Sequence, residues 1–162
     1  MLKVEINPAT DLLFERVVAV SPELVWRAWT EPRHLMPWFC PLPWKTVECE
    51  IDLFPGGRFM TVMVSPEGTR HPNTGCYLEV ITGKRLTWTS ALGPGFRPIA
   101  PSEFGPNFTA VLTFEKEGTG TRYIVQALHQ DPATKEQHEK MGFQEGWGIA
   151  LDQLVAYSGK IK

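Results

Sequence analysis

Histidine is the side chain in this sequence best suited to acid/base chemistry, and His129 is the strongest candidate. It follows Tyr123, Val125 and Ala127 at two-residue spacing, so a strand through this segment turns its imidazole to the same side as those residues. An inward imidazole can serve as general acid or base, or as the hydrogen-bond partner of a ligand. A core histidine with satisfied hydrogen bonds is the alternative interpretation.

A partial zinc signature begins at His138. The residues HEKMG open the H-E-x-x-H pattern of zinc proteases, but Gly142 stands where the second histidine is required. No metal site is therefore predicted. His138 and Glu139 are instead expected to be solvated residues on the turn that leads into the last helix.

The acidic residues and the thiols give no stronger signal for chemistry. Three carboxylates alternate along residues 48–52, a spacing that could hold a cation but is typical of the solvent face of a strand. Three cysteines without C-x-x-C spacing predict neither a disulfide framework nor a zinc knuckle. Cys49 and Cys76 are predicted on apolar faces, which leaves Cys40, beside Pro41, as the only thiol with a chance of exposure. No catalytic residue besides His129 and no cofactor is expected.

Composition indicates one globular domain over residues 1–162. The chain is 43% hydrophobic and 21% charged, with a formal net charge of -2, which suits a single sizeable core. No run of lysine or arginine is present to neutralise phosphates, so nucleic acid is not an expected partner. The sequence has no apolar stretch of about 18 residues and no signal sequence, so we expect a cytoplasmic protein without membrane insertion.

The beginning of the chain predicts a strand followed by helices. Branched apolar residues at 11–20 favour a strand. The residues SPE at 21–23 are typical of a helix start, with a serine cap, a proline in the first turn and an acidic residue at the positive end of the dipole. Thr30 is expected to cap a second, short helical turn that runs through Trp38.

From Trp44 onward the apolar period changes to two, the period of strands. The odd-numbered residues of 47–53 are expected on the dry face of the first such strand. Turn signals such as PGG at 55–57 and EGTGT at 117–121 separate five further strands, so neighbouring strands should pair as antiparallel hairpins. The inward-facing residues predicted for those strands are Phe59, Thr61, Met63, Cys76, Leu78, Val80, Leu86, Trp88, Phe108, Ala110, Leu112, Phe114, Tyr123, Val125, Ala127 and His129.

Residues 143–157 predict a long amphipathic helix with a continuous apolar stripe. Gly142, Gly146 and Gly148 each weaken such a helix by about 1 kcal/mol relative to alanine, so a compensating reason is expected. Close approach of the helix to the sheet is the preferred reason for Gly146, and room for a ligand beside Trp147 is the alternative. The stripe consists of Phe143, Trp147, Ala150, Leu151, Leu154 and Val155.

Together these elements predict an α+β fold. A curved antiparallel sheet of six or seven strands should wrap around the long C-terminal helix, with short helices after the first strand. One helix cannot fill the inside of such a sheet completely, so a cavity between helix and sheet is expected.

A proline-rich aromatic segment follows the first helix. Its residues, TEPRHLMPWFCPLPW at 30–44, contain too much proline for one regular element. We expect Trp38, Phe39 and Trp44 to form one wall or rim of the cavity, with ordinary core packing as the alternative.

A second proline-rich stretch occupies residues 93–106 and carries Phe96 and Phe104. Loops of this length in a compact domain usually have a function of their own. The stretch is interpreted either as a lid or as a surface loop with a small apolar cluster.

Several segments, in their order and spacing, resemble one family. They are FPGGRF from Phe54, GCYLEVITGKRLTWT from Gly75, GTGTRYIV from Gly118 and MGFQEGWGIALDQL from Met141. Together with WRAWTEPRHLMPWF after the first strand, they are similar to homologues of the activator of the ninety-kilodalton heat-shock protein ATPase. That family is part of the START-like, helix-grip superfamily. The resemblance spans about residues 11–157 and implies a cavity, between the sheet and the C-terminal helix, that binds small and mostly apolar ligands.

Three functions are compatible with this resemblance. The leading one is a binding protein that holds an apolar or aromatic small molecule in the cavity. The second is an enzyme of cyclase or hydrolase type that uses the same cavity, with His129 as acid/base. The third is a chaperone-interaction module, which the family suggests, although the separate chaperone-binding domain of the eukaryotic activator is not recognised in this sequence.

The expected partner is therefore a small apolar molecule, and a homodimer is compatible with the sequence. The predicted ligand-binding residues are Trp38, Phe39, Phe59, Met63, Trp88, Phe108, Leu112, His129, Phe143, Trp147 and Leu151.

Overall fold

Seven strands form one antiparallel sheet in the computed structural model, which describes residues 3–103 and 105–162. The strands along the chain are β1 (Asp11–Val18), β2 (Lys45–Ile51), β3 (Arg58–Val64), β4 (Arg70–Ile81), β5 (Arg85–Thr89), β6 (Leu92–Gly93), β7 (Arg97–Pro98), β8 (Thr109–Glu117) and β9 (Gly120–Leu128). The order in the large sheet is β1-β9-β8-β5-β4-β3-β2, and β6 pairs with β7 in a separate small ribbon.

Four helices accompany the sheet in the described part of the chain. They are α1 (Pro22–Thr30), α2 (Pro32–Leu35), α3 (Pro132–Lys140) and α4 (Phe143–Tyr157), and 3-10 turns occupy Pro94–Phe96 and Ser158–Lys160. The apolar stripe of α4 joins one continuous core with residues of α1 and of the sheet. The predicted α+β helix-grip architecture is thus confirmed, and α4 has the predicted bounds.

The start of α1 follows the predicted capping chemistry. The Ser21 hydroxyl accepts a hydrogen bond from the backbone N–H of Leu24 at 3.3 Å, and Pro22 occupies the first turn. The predicted cap of the second helix is wrong. Thr30 is the last residue of α1, where its hydroxyl donates to the Trp26 carbonyl at 2.8 Å, and Glu31 precedes α2 without a side-chain cap.

A β-bulge changes which residues of β2 face inward. The pairing with β3 shifts between Thr46 and Glu48, and a shift of one residue moves side chains to the opposite face. Thr46 is consequently buried, whereas Val47 is 43% exposed. The prediction that Val47 faces the interior was therefore wrong.

A second bulge lies in β4, where the pairing with β5 shifts between Tyr77 and Glu79. Tyr77 pairs with Trp88 and its ring stacks on Phe59 at 5.4 Å between centroids. Cys76 is therefore on the opposite face, where it is also buried. The prediction that Cys76 shares the inward face with the later apolar residues of this strand was wrong.

The residues before α4 form a helix of their own, not the predicted turn. Asp131 caps α3 by accepting from the backbone N–H of Thr134 at 2.7 Å. Gly142 then separates α3 from α4 with φ of +89°, a left-handed conformation that glycine adopts without strain. Gly142 therefore belongs to a break between two helices and not to the interior of one.

Close packing of α4 occurs at Gly148. A Cβ atom placed there would lie 2.6 Å from Nη2 of Arg16, and Arg16 in turn pairs with Asp152 at 3.2 Å. Because Gly148 has no side chain, the guanidinium of Arg16, a residue of β1, can lie against the surface of α4. In the described residues, no helix is both long and apolar enough to cross a membrane.

Candidate ligand-binding cavity

A cavity of about 530 Å³ lies between the sheet, α4 and residues 36–44, the second part of the proline-rich aromatic segment. Its wall contains carbon-rich side chains from all three parts of the structure, and no aspartate, glutamate, lysine or arginine contributes to it among the described residues. Eight of the eleven predicted ligand-binding residues lie in this wall: Trp38, Phe39, Phe59, Met63, Trp88, Phe108, Phe143 and Trp147. Trp44, which was expected at the wall or rim, also lines it.

Aromatic rings support one another along one side of the cavity. Trp29 stacks on Trp147 with 6.0 Å between centroids and contacts Trp38 edge-on at 5.0 Å. Its indole N–H donates to the hydroxyl of Tyr123 at 2.9 Å, which fixes the ring in the core. Trp29 was not among the predicted ligand-binding residues, because the helical periodicity that places it in the core does not indicate which core residues border a void.

The side chain of Gln153 in α4 forms hydrogen bonds to the aromatic segment. The Gln153 side-chain amide donates to the carbonyls of Trp38 and Cys40 at 3.0 and 2.8 Å, and its carbonyl oxygen accepts from the Leu42 N–H at 2.9 Å. The Thr46 hydroxyl donates to the Phe39 carbonyl. These bonds satisfy backbone groups that a proline-rich segment cannot pair within a regular element. Gln153 lies outside the apolar stripe of α4, so the sequence pattern gave no reason to expect this role.

Gly146 borders the cavity with open space in front of it. A Cβ atom at this position would meet no heavy atom of the described residues within 4 Å, and the residue lines the cavity beside Trp147. Close helix–sheet packing is therefore the wrong explanation for Gly146. The alternative, free volume next to Trp147, agrees with the structure.

Two histidines form a hydrogen-bonded pair at the end of β9. Nδ1 of His129 lies 2.8 Å from the Thr10 carbonyl, and its Nε2 lies 2.7 Å from Nδ1 of His138. A carbonyl only accepts, so Nδ1 of His129 carries a hydrogen. Both nitrogens of His129 are thus engaged, and His129 does not line the apolar cavity.

His138 is the histidine that lines this cavity. Its ring packs against Phe108 at 4.5 Å and Phe143 at 5.2 Å between centroids. Burial, with a smaller effect of His129, lowers the pKa of His138 to about 4, so the ring is neutral at neutral pH. The prediction of a solvated His138 was wrong because α3 turns this residue inward, whereas Glu139 is exposed as expected.

Three predicted ligand-binding residues lie elsewhere. Leu112 and Leu151 are 0% and 1% exposed within the solid core. His129 lines a second, more polar cavity of about 600 Å³ that also involves residues 101–103, 105–109 and 128–130. Phe108 belongs to the walls of both cavities.

Phe96, one of the two aromatic residues of the suggested lid, does not line the apolar cavity. Phe96 is 50% exposed, and its ring packs beside Gly56, away from the cavity wall. Phe104 lies outside the described residues. The stretch around Phe96 forms the ribbon of β6 and β7, so part of the predicted long loop is regular structure.

The thiols and carboxylates show no sign of a reactive or metal site in the described part of the chain. Cys40 is half-buried and lines the cavity, and burial raises the pKa of its thiol. Burial likewise raises the pKa of Cys49 to about 12. Glu48 and Glu50 form surface ion pairs with Arg70 and Arg58 at 2.8 and 3.2 Å, in agreement with their assignment to the solvent face. Cys40, the thiol given a chance of exposure, is thus partly exposed, and so is Cys49.

The cavity wall also contains buried polar atoms. The indole N–H groups of Trp38 and Trp88 have no hydrogen-bond partner among the described residues. Ser90 is satisfied, because its hydroxyl accepts from the Phe108 N–H at 3.1 Å. These two N–H groups are themselves fully buried, whereas the neutral imidazole of His138 is a polar group of this largely apolar wall that can form a directed hydrogen bond to a neutral molecule.

Comparison with known proteins places the sequence in a family. The model for the Activator of Hsp90 ATPase homolog 1-like protein matches residues 19–159. A comparison with curated proteins found no match.

Solved structures share the fold over nearly the whole chain. Protein NE0264 from Nitrosomonas europaea is 46% identical, with 96% of this chain and 97% of that chain covered and a TM-score of 0.90. The AHSA1 protein SPO3351 from Silicibacter pomeroyi is 23% identical, with 93% and 98% covered and a TM-score of 0.68. The AHSA1-like protein from Aeromonas hydrophila is 22% identical, with 93% and 92% covered and a TM-score of 0.69. The chain therefore belongs to the family of Activator of Hsp90 ATPase homolog 1-like proteins, within the START-like, helix-grip superfamily.

Proposed function

We propose that this protein binds a small, neutral, largely aromatic or apolar molecule in the cavity between the sheet and α4. The observation that carries the proposal is a cavity of about 530 Å³ whose wall is mainly aromatic and apolar, with a few neutral polar residues such as Thr61 and Asn73, and has no ionic side chain in the described residues. Cavities of this size are in the range that takes drug-sized ligands. The absence of a local charge disfavours an ionic ligand, because its lost hydration would not be compensated.

The free volume beside Gly146 supports a binding role over a purely structural one. Protein cores are normally filled to crystal-like density, and a larger residue at this position would meet open space. An alanine would also strengthen the helix by about 1 kcal/mol. Glycine at this position thus keeps volume available at a cost in helix stability.

The other two functions have less support. An enzyme using His129 in this cavity would need an imidazole nitrogen free to reach the ligand, and both nitrogens of His129 are engaged by Thr10 and His138. The chaperone-interaction function rests on the family description alone.

Filling the cavity from the helix side tests the proposal. Wild type should bind a hydrophobic fluorescent probe such as anilinonaphthalene sulfonamide, and binding should shift or quench the tryptophan emission, because Trp29, Trp38, Trp88 and Trp147 border the cavity. Gly146→Leu should weaken binding of this probe at least tenfold, since a leucine side chain occupies the binding volume.

The matched control is Ala156→Leu, which adds the same side chain at an exposed position of the same helix and should bind the probe like wild type. Circular dichroism and thermal unfolding verify that each variant is folded. If a broad panel of neutral apolar probes fails to bind folded wild type, or binds Gly146→Leu equally well, the proposed function is wrong.

A further inference from the structure

The hydrogen bonds around His138 determine which of its nitrogens faces a ligand as an acceptor. Nδ1 of His129 must donate to the Thr10 carbonyl at 2.8 Å, because a carbonyl cannot donate. When His129 is neutral, its Nε2 therefore bears a lone pair. Nδ1 of His138, 2.7 Å away, must then donate to that lone pair.

The second nitrogen of His138, Nε2, is a hydrogen-bond acceptor when the ring is neutral. With the hydrogen on Nδ1, a neutral ring carries a bare lone pair on Nε2. No hydrogen bond to this Nε2 is formed within the described residues, and it is not among the fully buried polar atoms. The ring itself lines the apolar cavity and is held between Phe108 and Phe143. A residue of the cavity wall therefore carries a neutral acceptor of defined tautomer that is not fully buried.

We propose, building on the function proposed above, that His138 selects neutral aromatic ligands that carry a phenol-type hydroxyl, which donates its hydrogen to Nε2. His129 is the positioning residue, because its bond to Thr10 fixes the tautomer of His138. The aromatic rings of the wall, such as Trp147 and Phe59, supply stacking surface for the ring that carries the hydroxyl. A carboxylate is disfavoured, since it has no hydrogen to donate and would meet no cation in the described wall.

A pair of probes that differ only in the donor tests the proposal. Binding of 2-naphthol and of its methyl ether, 2-methoxynaphthalene, is measured at pH 8, above the ordinary histidine pKa of about 6.5. Wild type should prefer the naphthol about five- to tenfold, the usual value of one neutral hydrogen bond. His138→Phe keeps an aromatic ring between Phe108 and Phe143 but has no acceptor, so the two probes should bind equally.

The outcomes separate this inference from the function on which it rests. Equal affinity of wild type for both probes, or an unchanged preference in His138→Phe, overturns the phenol selectivity and leaves apolar binding intact. Failure of both probes to bind folded wild type overturns both proposals.

A measurement on wild type avoids dependence on a folded variant. In long-range proton–nitrogen NMR spectra, Nε2 of His138 should appear as an unprotonated nitrogen, and 2-naphthol, but not the ether, should shift its resonance toward that of a hydrogen-bonded acceptor. A protonated Nε2 in the free protein, or the same response to both probes, would contradict the proposal.

Discussion

The imidazole of His138 gives this largely apolar cavity a directional polar contact. His138 is held by its bond to His129 and by aromatic contacts on two sides. A partly desolvated ring without a neighbouring carboxylate favours its neutral form. Its chemical character therefore follows from its surroundings and not from the residue type alone.

The pH dependence of stability should report on this environment. In the unfolded chain His138 binds a proton near pH 6.5, whereas in the folded protein its pKa is about 4. Because the unfolded state holds more protons between these values, the free energy of unfolding should fall as pH drops from about 6.5 to 4, by at most about 1.4 kcal/mol per pH unit for this group. Its partial solvent access reduces that slope, and below pH 4 the contribution no longer changes.

Urea unfolding across this pH window compares wild type with His138→Phe, in which the slope should be smaller. His129 is the titratable group that contacts the ring. His34, whose pKa burial also lowers, remains in both proteins, so a residual slope is expected. Identical slopes would contradict the assignment of a depressed pKa to His138.

At the scale of elements, one helix residue holds an irregular segment in place. Residues 36–44 contribute Trp38 and Phe39 to the cavity wall, yet the segment has few backbone bonds of its own. Gln153 of α4 provides three hydrogen bonds to it. Gln153 therefore holds residues 36–44 against α4.

Gln153→Glu should weaken the attachment of residues 36–44 to α4 while keeping the shape of the side chain. A carboxylate cannot donate to the carbonyls of Trp38 and Cys40, so two acceptors lose their partner, and we expect a loss of about 1–3 kcal/mol in the free energy of unfolding. Urea titration followed by tryptophan emission measures the effect.

Gln144→Glu is the matched control for this change. Gln144 is exposed in the first turn of α4, where a negative charge is favourable, and its single bond to Leu13 lies at the surface. We expect a change of about 0.5 kcal/mol or less. A Gln153→Glu effect as small as that of the control would show that the segment holds its place without Gln153.

For the whole molecule, the unfilled volume between sheet and helix links ligand binding to stability. A ligand that occupies it only in the folded state stabilises the protein by mass action. Saturation with a cavity ligand at about 100 times its Kd should raise the free energy of unfolding by about 2.7 kcal/mol.

Thermal unfolding with and without 2-naphthol measures this shift. Wild type should show a higher Tm with the ligand, and Gly146→Leu should show a smaller rise at the same concentration, because it binds the ligand at least tenfold more weakly. An equal rise in both proteins would place the ligand outside the cavity beside Gly146.

Local patterns in the sequence determined most of the architecture. The period-two segments predicted the strands of the large sheet, and the spacing from Phe143 to Val155 predicted α4 and its buried stripe, because side-chain direction along a regular element depends only on its period. The cap at Ser21 was equally local. Six of the predicted ligand-binding residues reached the cavity wall for the same reason, since the inward face of a regular element follows from its period: Phe59, Met63, Trp88, Phe108, Phe143 and Trp147. Trp38 and Phe39, also in the wall, were predicted from their place in the proline-rich segment instead.

Only the tertiary structure decided which inward residues border the void and which fill the core. Bulges in β2 and β4 reversed the direction of Val47 and Cys76, and such register shifts depend on the partner strand. The same holds for the pairing of His129 with His138, which requires α3 to fold back on the end of β9. Leu112 and the cavity residue Phe108 have the same pattern in sequence, and the volume left between sheet and helix, a property of the packed whole, distinguishes them.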